Sequence, residues 1–138
     1  LSMMLTSLKI LRRNKEQLVR GSLDKSGKTV LVVEDEPLIA LMLEDTLEEH
    51  GWHVSSVAMN EADADSYLSK ESPDLAVLDV KLGGGTSARL ARVCSDRQIA
   101  TVFVTGLGAE DLPPECSGRP VLQKPFSPED LLAALKAA

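Results

Sequence analysis

Three short runs in this chain are apolar at every position: Val30-Leu31-Val32-Val33, Leu75-Ala76-Val77-Leu78 and Val102-Phe103-Val104. A strand that is apolar on both faces cannot leave either face in water. It belongs inside a parallel sheet covered by helices on two sides. Helical patterns fill the intervals, so from Thr29 the order reads β-α-β-α-β-α-β-(α)-β-α. The expected fold is α/β, a doubly wound five-stranded parallel sheet. Val54 to Val57 supply a more exposed edge strand, and Val121-Leu122 a short last one.

The helices have readable starts. Pro37 suits a first turn, with Leu38, Met42 and Leu43 available to the sheet, and Gly51 can take the left-handed conformation that ends this helix after His50. Asn60 is an N-cap with Asp63 three residues on, and Tyr67-Leu68 face inward. Thr86 or Ser87 starts a third helix through Leu90, Ala91 and Cys94. Ser127-Pro128-Glu129-Asp130 opens the last one, followed by Leu131, Leu132 and Leu135. Between Thr105 and Arg119 two glycines and Pro113-Pro114 leave room for a turn or so. The fourth helix is therefore expected to be short or disordered.

Charge divides the chain. Residues 1–28 carry seven Lys/Arg against Glu16 and Asp24, a balance of +5, whereas the other 110 residues carry eight Lys/Arg against nineteen Asp/Glu, a balance of −11. That places a boundary near Lys28, with an N-terminal helix and linker (1–28) ahead of one folded domain (29–138). Within 1–20, Leu1, Met4, Leu5, Leu8, Leu11 and Leu18 recur at helical spacings, although Lys15 interrupts them. Gly21-Ser22 and Ser26-Gly27 read as linker. Three roles stay open for this helix: packing or connection, a homodimer seam, or a basic surface for nucleic acid or membrane. The acidic body argues against nucleic-acid binding by the domain itself. No apolar run approaches the roughly 20 residues that span a bilayer. Cys94 and Cys116 lack metal spacing and read as reduced thiols, and His50 and His53 as surface residues. The first residue is Leu, which fits a fragment of a longer protein.

In an open α/β sheet, ligands bind beyond the carboxyl ends of the strands. Here those ends carry Glu34-Asp35, Asp79, Thr105 and Lys124. Any single acid at a strand end is ordinarily a cap or a solvated loop residue. Three carboxylates meeting at one site repel each other unless a cation neutralises them. Oxygen ligands without soft ones select Mg²⁺ or Mn²⁺. A lysine and a hydroxyl opposite would hold phosphoryl oxygens, so Asp79 is set up for phosphoryl transfer onto itself.

Val32-Val33-Glu34-Asp35-Glu36-Pro37, Leu78-Asp79-Val80, Val104-Thr105-Gly106 and Lys124-Pro125-Phe126 resemble the CheY-like receiver domain of two-component response regulators. The resemblance covers Thr29 to Ala138. It implies a flavodoxin-like strand order 2-1-3-4-5 and a bacterial, cytoplasmic signalling domain rather than an enzyme, with Mg²⁺-dependent self-phosphorylation and autodephosphorylation. By position, Asp79 matches the phosphoacceptor. Glu34 and Asp35 match the acidic pair that holds Mg²⁺ together with Asp79, and Lys81 the residue whose backbone carbonyl joins them. Thr105 matches the switch hydroxyl and Lys124 the lysine that pairs with the phosphoryl group. The Lys124–Pro125 bond resembles one that is cis in the family. The implied donor is a histidine kinase or a histidine phosphotransfer protein.

Two positions depart from the common pattern. Val121 stands where many receivers carry an aromatic switch residue. Phe103-Val104-Thr105-Gly106-Leu107-Gly108 and Val80-Lys81-Leu82-Gly83-Gly84-Gly85 are similar instead to an atypical subgroup with a Phe-x-Thr-Gly-Tyr-Gly-like signature, Leu107 replacing its Tyr. Other readings fit less well. A flavodoxin relative would need a phosphate loop where Glu34-Asp35-Glu36 stands. A haloacid-dehalogenase-type phosphatase expects a second Asp at the position of Lys81. A pseudo-receiver scaffold would not need the intact site. With the last predicted helix closing the chain, both a stand-alone regulator and the C-terminal receiver of a hybrid histidine kinase are expected contexts.

Overall fold

The computed structural model describes residues 27–106, 108 and 111–138. The expected N-terminal helix of residues 1–20, its dimer seam and the Leu107 substitution lie outside the described residues. From Thr29 the chain builds β1 (Thr29–Val33), α1 (Pro37–Glu49), β2 (His53–Ala58), α2 (Glu61–Leu68) and β3 (Leu75–Asp79). A small hairpin follows, β4 (Lys81–Leu82) and β5 (Gly85–Thr86), then α3 (Ala88–Asp96), β6 (Ala100–Thr105), β7 (Val121–Gln123) and α4 (Pro128–Ala137). The main sheet has five strands in the order β2-β1-β3-β6-β7, and all its pairs are parallel. This is the doubly wound sheet that the strand pattern predicts, in the flavodoxin-like order that the resemblance implies.

The apolar runs are buried on both faces because alternate residues serve different helices. Leu31, Val33, Ala76, Leu78 and Phe103 join the cluster that contains Ala64 and Leu68 of α2 and Leu90, Ala91 and Cys94 of α3. Val30, Val32, Leu75, Val77, Val102 and Val104 join the opposite cluster, with Leu43 and Leu47 of α1 and Leu131 of α4. β2 pairs with β1 alone, as an edge strand should.

Local signals set the element boundaries. Gly51 follows α1 with φ +93, where an L side chain would be strained. Asn60 Oδ1 accepts from Asp63 N at 2.8 Å and caps α2. Ser127 and Asp130 form a reciprocal capping box at α4, with bonds of 3.1 and 3.0 Å. Ser127→Ala should therefore cost about 1 kcal/mol, read by urea unfolding; an unchanged midpoint would mean that α4 does not need the cap.

One expectation changes. Leu38 does not face the sheet: it is 81% exposed. In α1 the sheet-facing positions are Ala40, Leu43 and Leu47, and Leu38 falls outside that stripe. In the glycine-rich stretch after Asp79, Lys81–Leu82 and Gly85–Thr86 pair antiparallel. Among the described residues, the β6–β7 connection holds 3-10 structure, at Asp111 and at Pro114–Cys116, and no α-helix.

Candidate functional site

β1, β3, β6 and β7 lie side by side and parallel, so their carboxyl ends emerge together. Glu34 follows β1, Asp79 ends β3, Thr105 ends β6 and Lys124 follows β7. The Lys124 backbone N–H donates to the Thr105 carbonyl at 2.7 Å, which brings the lysine to the sheet end. The Lys124–Pro125 peptide bond is cis.

The Lys124 ammonium is the hub of the site. Nζ lies 3.3 Å from Asp79 Oδ2 and 3.2 Å from Glu34 Oε2. A third carboxylate, Glu36, stands 3.6 Å from the same nitrogen and is far more exposed. Oxygens of Glu34, Asp35 and Asp79 all fall within 4.8 Å of one another. Glu34 is fully buried, and its Oε2 accepts no hydrogen bond, only the ionic contact with Lys124. Its other oxygen accepts from the Glu36 backbone N–H at 3.1 Å. Asp35 Oδ2 accepts from the Gly83 backbone N–H at 3.0 Å, tying the β4–β5 hairpin to the site. Gly83 has φ +61, which the hairpin turn requires.

Burial dominates the electrostatics. It pushes the Glu34 carboxyl up to about 7, and the neighbouring Asp79 adds to the rise. Asp79 is likewise raised by burial, against the pull of Lys124. Burial works against the charge on Lys124, but Asp79 and Glu34 outweigh it and hold the ammonium above its ordinary value. One ammonium is thus shared among three carboxylates, two of them buried. Such a cluster has room for another cation.

A cleft of about 380 Å³ opens onto this cluster, lined by Asp35, Glu36, Asp79, Lys81, Gly83, Gly106 and Lys124. Thr105 is buried and does not line the cleft. The chain geometry therefore gathers the acids and the lysine at one point, with Thr105 at the adjoining strand end. Glu36 and Gly83 were not singled out from the sequence. Glu36 was legible only as the third acid of Glu34-Asp35-Glu36, and Gly83 as one of three consecutive glycines.

Residues 30–136 match the family model described as the response regulator receiver domain. The chain belongs to that family. The receiver is 34% identical over 118 residues to the phosphate regulon transcriptional regulatory protein PhoB of Pseudomonas aeruginosa, covering 80% of this chain and 51% of PhoB. It thus spans about half the length of the curated relatives it matches. Among solved structures it is similar to SdrG from Sphingomonas melonis, with 40% identity, a TM-score of 0.72, and coverage of 80% of this chain and 94% of SdrG. TrrA from Thermotoga maritima, solved in complex with Mg²⁺-BeF, shares the receiver fold at 23% identity and a TM-score of 0.68, with 79% and 96% of the two chains covered. No described helix is long and apolar enough to cross a membrane.

Proposed function

We propose that this receiver accepts a phosphoryl group on Asp79 from a phosphohistidine donor, a histidine kinase or a histidine phosphotransfer protein, in a cytoplasmic phosphorelay. One observation carries the reading: a buried aspartate at the end of the central strand faces an open cleft, between an ammonium 3.3 Å away and two further carboxylates. Residues 29–138 form the receiver, and residues 1–28 an N-terminal helix and linker.

The residues fit a divalent metal. Glu34 Oε2 is a buried carboxylate oxygen without a hydrogen bond, and three carboxylates outnumber the single ammonium they share. Asp35, Asp79 and the Lys81 carbonyl would hold Mg²⁺ directly, with Glu34 acting through water. Bound there, Mg²⁺ would neutralise charge on the phosphoryl oxygens. In transfer, an Asp79 oxygen forms the new O–P bond while the donor's P–N bond breaks, and the leaving imidazole nitrogen keeps the electron pair. Lys124 exchanges a carboxylate partner for a phosphoryl oxygen. The Thr105 hydroxyl can donate to another if it turns toward the cleft. Water later attacks the acyl phosphate, returning Asp79 and inorganic phosphate.

A small phosphodonor tests this reading. With Mg²⁺ the full chain should gain one phosphoryl group, and with a chelator none. Uptake that is indifferent to the chelator, or no uptake at all, overturns it.

The readout differs from an aromatic switch. Val121 sits at the sheet edge, 37% exposed, paired with Phe103 of β6. Together with the absence of an α-helix among the described residues between β6 and β7, this favours the atypical subgroup and a change of order between β6 and β7 on phosphorylation. Amide exchange of residues 111–123 should change upon phosphorylation. Identical exchange in both states would reject this readout.

A further inference from the structure

We propose that Glu36 is a positioning residue at this site: its carboxylate competes with the phosphoryl group for the Lys124 ammonium and so restrains phosphoryl capture. This rests on Asp79 being the phosphoacceptor, as proposed above.

Lys124 has three carboxylate neighbours, and they are not equivalent. Its Nζ lies 3.2 Å from Glu34, 3.3 Å from Asp79 and 3.6 Å from Glu36. Glu34 and Asp79 are buried, whereas the Glu36 side chain is 61% exposed and lines the cleft. Glu34 and Asp79 group with Asp35 into the set of oxygens that a divalent cation would neutralise, and Glu36 stands outside that set. Once the set is neutralised, Glu36 is the carboxylate left to hold the ammonium. A phosphoryl group on Asp79 brings close to two negative charges and needs the same ammonium. Glu36 therefore opposes capture in two ways. It pairs with Lys124, and it repels an anion entering the cleft it lines.

The fold does not explain this side chain. Glu36 is the N-cap residue of α1, yet its carboxylate makes no capping hydrogen bond. What the fold uses is its backbone. The N–H donates to Glu34 Oε1 at 3.1 Å, and the carbonyl accepts from Ala40 N at 2.9 Å. Those two bonds, with Pro37 opening the first turn, fix the residue beside the buried acid. Replacing the side chain leaves both bonds in place. The structural alternative is a favourable charge at the positive end of the α1 dipole. That role would show in unfolding free energy and leave anion capture unmoved.

Beryllofluoride, an unreactive phosphoryl mimic, tests the competition on the full chain with Mg²⁺. Its affinity is read from the amide resonances of Gly83 and Gly106 in the wild type, Glu36→Gln and Glu36→Asp. Glu36→Gln keeps the shape and removes the charge. It should tighten binding about three- to five-fold, the upper range for an exposed ion pair. Glu36→Asp keeps the charge on a shorter stem and should fall between the two. The initial rate of phosphoryl uptake from acetyl phosphate, with acetate as the leaving group, should follow the same order. Equal or weaker beryllofluoride binding by Glu36→Gln would overturn the proposal. A gain confined to Glu36→Asp would mark a steric effect and overturn it as well. No beryllofluoride binding by any of the three proteins would reject the phosphoacceptor reading, and the proposal with it.

Discussion

Between pH 5 and pH 8 the metal-free protein is expected to lose about 2 to 3 kcal/mol of unfolding free energy at its acidic cluster. Burial pushes the Glu34 carboxyl from 4.5 up to about 7 in the folded state. A raised acid binds its proton more tightly folded than unfolded. Its contribution is therefore fully present below pH 4.5 and is lost as pH rises through about 7. Asp79 is raised in the same direction, so it steepens the loss. Glu34→Gln removes the titrating group while keeping its shape, and its unfolding free energy should change much less over this interval. The difference between the two slopes, from urea titrations at each pH, isolates the site from other groups. Parallel slopes would mean that Glu34 is ionised throughout. Mg²⁺ should restore stability at pH 8 by binding the ionised cluster in the folded state.

Lys124→Met should destabilise the metal-free protein by about 3 kcal/mol at pH 8. The methionine keeps most of the apolar stem, so the loss reports the charge. Without the ammonium, Glu34 and Asp79 face each other across the site with no counter-charge, and Asp35 stands nearby. At pH 5 the penalty should shrink, because the carboxyls then hold protons. Adding Glu34→Gln to Lys124→Met should recover more than half of the loss at pH 8, as expected for two groups in contact. A pH-independent loss, or purely additive effects, would show that Lys124 acts by packing rather than by charge.

The sheet was legible because each interior strand announces itself. Val30 to Val33 and Leu75 to Leu78 are apolar at consecutive positions, which only a two-sided core explains. The caps at Asn60 and Ser127 have short-range causes and were read from three or four residues each. The acids and Lys124 were legible because strand ends in a parallel sheet meet at one edge. What escaped depends on geometry that periodicity does not carry. Leu38 looks like a core residue by type, yet its place in the first turn of α1 points it outward. The β4–β5 pair spans only two residues per strand, too short to show alternation. The ion pair of Glu36 with Lys124 joins residues on distant strands' ends, and no local pattern announces it.

The most direct measurement is the location of the phosphoryl group. The full chain is treated with a small phosphodonor and Mg²⁺, reduced with borohydride, digested and mapped by mass spectrometry. Reduction converts an aspartyl phosphate to homoserine. The account predicts homoserine at position 79 alone, and no adduct on Asp79→Asn. Homoserine at Asp35 or elsewhere, or an adduct that persists on Asp79→Asn, would contradict it.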